Sequence, residues 1–109
     1  MRLEINGINY EIIEVENDSD NLKIEDKLCW GTCRYDIQKI YLAKDMTLGK
    51  KKQTLSHELT HAFLYEYLLG YKEEYSNEEV CEFLSKYGER IINLANKYID
   101  FKYKYTKGC

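Results

Sequence analysis

The sequence predicts an α+β fold in a single domain spanning residues 1–109. A small N-terminal antiparallel β-sheet packs on a buried helix, and a second long helix closes the chain. Three observations predict this. Alternating apolar and polar residues flank Asn6-Gly7, the strongest short hairpin signal. The pattern changes from period two to helical spacing after about Thr47. The chain has 109 residues, 44% apolar and 32% charged, which suits one folded core.

Leu3-Glu4-Ile5 and Ile8-Asn9-Tyr10-Glu11-Ile12 form the opening hairpin, its second strand running to about Val15. Residues 16–27 are acidic and polar, with Asp18-Ser19-Asp20-Asn21 as a loop. Residues 28–35 read as a third strand and residues 37–43 as a fourth. Thr47 is placed to cap a helix from about Leu48 to Leu69, with Gly70 at the C-terminal cap. Ser76 followed by Glu79 has the spacing of a capping box and starts the second helix. Val80, Phe83, Leu84, Tyr87, Ile91 and Leu94 recur at helical spacing as its apolar face.

Charge narrows the function classes. Sixteen basic residues stand against 19 acidic ones, a net charge of −3. Nucleic-acid binding through bulk charge is therefore excluded, and only the tail Lys102-Tyr103-Lys104-Tyr105-Thr106-Lys107 offers a local basic patch. No apolar run is long enough to span a membrane. The start Met1-Arg2-Leu3-Glu4 lacks the apolar core of a signal peptide. The expected compartment is the cytoplasm. There, Cys29, Cys33, Cys81 and Cys109 are expected as free thiols, with Cys81 a small core residue.

The chain has only two histidines, and both fall in His57-Glu58-Leu59-Thr60-His61. This is H-E-x-x-H, a pattern with specific mechanics. Residues four apart on a helix lie about 40° apart around the axis and one turn along it. Both imidazoles can then reach one ion, and Zn²⁺ suits two neutral nitrogens plus a carboxylate. Glu58 is rotated by about 100° from His57 and stands beside the ion. There it can take a proton from the attacking water and give it to the leaving amine. Leu55, Leu59, Ala62 and Phe63 make one apolar stripe, with Leu64 and Leu68 on the other side, so the helix is expected between the strands and the second helix.

With no third histidine, the third ligand must be a carboxylate or a cysteine. The second helix offers Glu78, Glu79 and Glu82, with Cys81 as an outsider. Glu79 stands nearest the apolar face, and its competing role is to partner Ser76 in the capping box. For an oxyanion donor, Tyr65, Tyr71 and Tyr75 are near in sequence.

The stretch Gln53-Thr54-Leu55-Ser56-His57-Glu58-Leu59-Thr60-His61-Ala62-Phe63 resembles the active-site helix of the ImmA/IrrE family of zinc metallopeptidases, above all its small phage and prophage members. Lys39-Ile40-Tyr41-Leu42 resembles the strand that precedes that helix. Glu79-Val80-Cys81-Glu82-Phe83 is similar to the later segment that supplies the third ligand, which implies Glu79; an alignment shifted by one implies Glu78. The resemblance covers roughly residues 28–95 and implies a minimal zincin-like domain. It implies gluzincin-like hydrolysis of a protein substrate, such as a phage or stress-response transcriptional repressor.

Two function classes follow. In the first, the chain is a zinc metallopeptidase in which His57, His61 and Glu79 hold the metal and Glu58 moves the proton. In the second, it is a catalytically inactive zinc-binding module that docks on a regulatory protein.

Overall fold

A computed structural model of the chain describes residues 1–67 and 74–103. Its strands are β1 (Arg2–Ile5), β2 (Ile8–Val15), β3 (Lys23–Ile24), β4 (Lys27–Leu28), β5 (Gly31–Arg34) and β6 (Lys39–Ala43). Two helices follow, α1 (Leu48–Tyr67) and α2 (Asn77–Tyr103). The domain is α+β, with a four-stranded sheet in the order β1-β2-β6-β5 and a separate β3-β4 hairpin. The expected helix end at Leu69, the Gly70 cap, Tyr71, Cys109 and the basic tail beyond Tyr103 lie outside the described residues. No helix among the described residues is long and apolar enough to cross a membrane.

The opening hairpin forms as its residues dictate. Asn6 and Gly7 both take positive φ (51° and 80°), as a type I′ turn requires. The sheet differs from expectation in one respect: it is mixed, not antiparallel. β2 pairs with β6 in parallel, Ile12 opposite Ile40 and Glu14 opposite Leu42. Ile40, Tyr41, Leu42 and Ala43 are all buried. A strand apolar on both faces needs cover on both, which a central position supplies. The β5-β6 hairpin places β6 there, and so sets it beside β2 rather than at an edge.

Side-chain alternation then divides the core. On one face Leu3, Ile5, Tyr10, Ile12, Ile40 and Leu42 meet Leu55, Leu59, Ala62 and Phe63 of α1 and Phe83, Ile91, Ala95 and Tyr98 of α2. On the other face Tyr41 and Ala43 pack with Leu22 of a short 3-10 turn (Asp20–Leu22). Each fully buried aliphatic or aromatic side chain contributes about 1.5–3 kcal/mol. The expected third strand is split: Cys29 and Trp30 form a bend between β4 and β5, tied by Cys29 N–H donating to Leu22 O at 2.8 Å.

Thr47 caps α1, its Oγ1 accepting from Lys50 N–H at 3.2 Å. Ser76 and Glu79 form the capping box of α2: Glu79 N–H donates to Ser76 Oγ at 3.2 Å and Ser76 N–H to Glu79 Oε1 at 3.0 Å. The apolar face of α2 is only partly used. Tyr87 reaches the rings of Phe63 and Tyr67, and Phe83 packs against Tyr87, whereas Val80 and Leu84 are exposed. Cys81 is exposed as well. It sits about 100° around the helix from Val80, turned from the face that meets α1.

Glu14 follows Tyr10 and Ile12 on the helix-facing side of β2, so its carboxylate enters the packed layer. It is met there by the Lys51 ammonium at 2.8 Å, the Tyr98 hydroxyl at 2.5 Å and the Tyr103 hydroxyl at 2.7 Å. Lys51 is only 2% exposed and also donates to Lys44 O at 2.8 Å. This network ties the first turns of α1 to the last turns of α2 across β2.

Candidate metal centre

The middle of α1 presents the two histidines towards β5. The Nε2 atoms of His57 and His61 stand 3.2 Å apart, the rings edge to face with centroids 4.8 Å apart. Two nitrogens at the usual zinc–nitrogen length and a tetrahedral angle would stand about 3.3 Å apart. The pair therefore fits a shared ion. No described residue other than its partner hydrogen-bonds either ring. Burial, then the neighbouring His57, lowers the pKa of His61. It is thus neutral near pH 7, the state in which a ring nitrogen donates its lone pair.

Glu58 is buried beside them, at 7% exposure. Its oxygens accept no hydrogen bond from a described residue, yet none is sealed from solvent without a partner. They open onto a cavity of about 600 Å³ that His57 and His61 also line. Burial pushes the Glu58 carboxyl up to about 7.

The cavity is also lined by β5 and the residues on either side of it: Cys29, Trp30, Gly31, Cys33 and Tyr35. Gly31 lets the strand close on the helix. A Cβ there would meet Thr54 Cγ2 at 2.8 Å, Glu58 Cγ at 3.2 Å and Tyr41 O at 3.2 Å. Burial, then the charge of Glu58, pushes the Cys33 thiol up to about 12. Cys33 therefore stays protonated and lines the wall as a small apolar group.

Glu79 is elsewhere. It lines a second cavity with Tyr67, Glu78, Glu82, Phe83 and Tyr87. Tyr67 follows His61 by six residues, about 240° around α1 and 9 Å along it. The structure thus brings His57, Glu58 and His61 together but does not bring Glu79 or Glu78 to them. Among the described residues, no group of three or more His, Cys, Asp and Glu side chains is arranged to hold a metal ion.

Of the tyrosines near in sequence, Tyr65 stacks on Tyr35 with centroids 4.4 Å apart, and Tyr35 is the one that lines the cavity. Tyr75 does not line it. Sequence reading missed Gly31, Trp30, Tyr35 and Lys50 as cavity residues. One signal was available: an isolated glycine in a strand pattern marks close approach of another element. Comparison with protein-family models, curated proteins and solved structures found no match.

Proposed function

We propose that the chain is a zinc metallopeptidase of the H-E-x-x-H type that hydrolyses peptide bonds in a protein substrate. The observation that carries this is the convergence of His57 and His61 Nε2 at 3.2 Å beside a buried carboxylate that opens onto the same cavity. The resemblance to the ImmA/IrrE family agrees with this reading. It makes a transcriptional repressor the first substrate to try.

His57 and His61 are the two nitrogen donors. A zinc ion there would polarise a carbonyl oxygen and lower the pKa of water. Glu58 is the general base: a buried carboxyl that lines the same cavity as the two histidines. It accepts the proton from the attacking water and returns it to the leaving amine as the C–N bond breaks. Gly31 keeps β5 close, so the β5 backbone walls the cavity on the side where a substrate would lie.

The test is Glu58→Gln. The variant should keep the zinc content of the wild type and lose cleavage of a mixed quenched-fluorescent peptide library. Removing one general base costs about 10²–10⁴-fold in rate. Cleavage at the wild-type rate in this variant would overturn the assignment.

A further inference from the structure

The cavity beside His57 and His61 carries chemistry that the motif does not need. Lys50 stands at its mouth, exposed, with its ammonium 5.5 Å from the Trp30 ring centroid. That distance is within cation–π range, so the charge is held at the rim. No acidic residue lies in the first turn of α1 to neutralise it. Among the described lining residues Glu58 is the only carboxylate, and it is buried. Lys50 thus sets a positive charge on the cavity in a chain whose net charge is −3. Beside it, Trp30 is 50% exposed and Ile24 52%, both lining the cavity. Leu28, on the other strand of the β3-β4 hairpin, is also exposed. Single exposed apolar residues are ordinary, but a cluster at the rim of a cavity marks a contact surface.

We infer that this cavity takes a peptide segment with an acidic side chain at Lys50 and a large apolar side chain against Trp30 and Ile24. Charge complementarity selects the occupant: the Lys50 ammonium attracts a carboxylate and repels a lysine or arginine. The apolar rim adds contact area next to the charge. The inference rests on the peptidase reading only in calling this peptide a substrate.

Trp30 is the single tryptophan of the chain, so its fluorescence reports occupancy of this cavity. The experiment titrates the full chain carrying Glu58→Gln, after incubation with zinc. The probes are two short blocked peptides that carry leucine beside either glutamate or lysine, and a short single-stranded oligonucleotide. The same titrations are run with Lys50→Glu added, and zinc content is measured for both proteins. The glutamate peptide is expected to bind about tenfold more tightly than the lysine peptide. Lys50→Glu should reverse that order at unchanged zinc content. An order that Lys50→Glu leaves unchanged, no Trp30 response to either peptide, or a response to the oligonucleotide alone would overturn the inference. Protein without zinc that still shows the reversible preference would sink the peptidase reading and uphold this one.

Discussion

Gly31 of β5 and Glu58 of α1 are in contact through an absence: a methyl group on Gly31 would lie 3.2 Å from Glu58 Cγ. The same methyl would lie 2.8 Å from Thr54 Cγ2, closer than real carbon contacts allow. Thr54 and Glu58 are both buried on α1, and neither can swing freely away. Gly31→Ala is therefore expected to push β5 off the helix and to destabilise the fold by about 1–3 kcal/mol, the usual effect of overpacking. Chemical denaturation measures it. An alanine variant as stable as the wild type would show that the contact is not tight.

Much of this arrangement was legible in the sequence because it is local. The Asn6-Gly7 turn, the Thr47 cap and the Ser76-Glu79 box each depend on residues within a few positions. The fit of His57 and His61 to one ion likewise follows from a four-residue spacing on one helix. What was not legible depends on strand order. The parallel β2-β6 pairing and the placing of Gly31, Trp30 and Lys50 around one cavity come from which strand lies beside which. Val80, Cys81 and Leu84 show the same limit on α2. Helical spacing gives the direction of a side chain, but not whether another element lies there to cover it.

Glu79 is where the sequence and the geometry pull apart. Its carboxylate accepts from Ser76 N–H at 3.0 Å and lines a cavity other than that of the histidines. The geometry predicts that Glu79→Ala lowers stability by about 1 kcal/mol through loss of the cap. Zinc content should match the wild type. Loss of zinc in this variant, with the fold intact by circular dichroism, would instead make Glu79 the third ligand.

The Glu14 network predicts a pH dependence. Burial alone would raise the Glu14 carboxyl, but hydrogen bonds from Lys51, Tyr98 and Tyr103 outweigh it and hold the pKa below the ordinary value of 4.5. A depressed native pKa gives stability that is full above the unfolded-state value and lost as pH falls through the native one. Lys51 is shifted the other way: burial lowers it, but its bonds to Glu14 and Tyr103 raise it further. Its contribution therefore persists until pH rises through that raised value. Thermal unfolding should show stability falling below about pH 4.5. Glu14→Gln should flatten that limb and cost about 3 kcal/mol at neutral pH, because it leaves the Lys51 ammonium buried without its partner. An acid limb identical in the variant and the wild type would contradict this.

The most direct test of the central claim is metal content after incubation with zinc and desalting, for the wild type, His57→Ala and His61→Ala. The account predicts about one zinc per chain in the wild type, and loss of it in each variant with the fold retained by circular dichroism. A wild-type protein that takes up no zinc, or histidine variants that hold as much as the wild type, would contradict it.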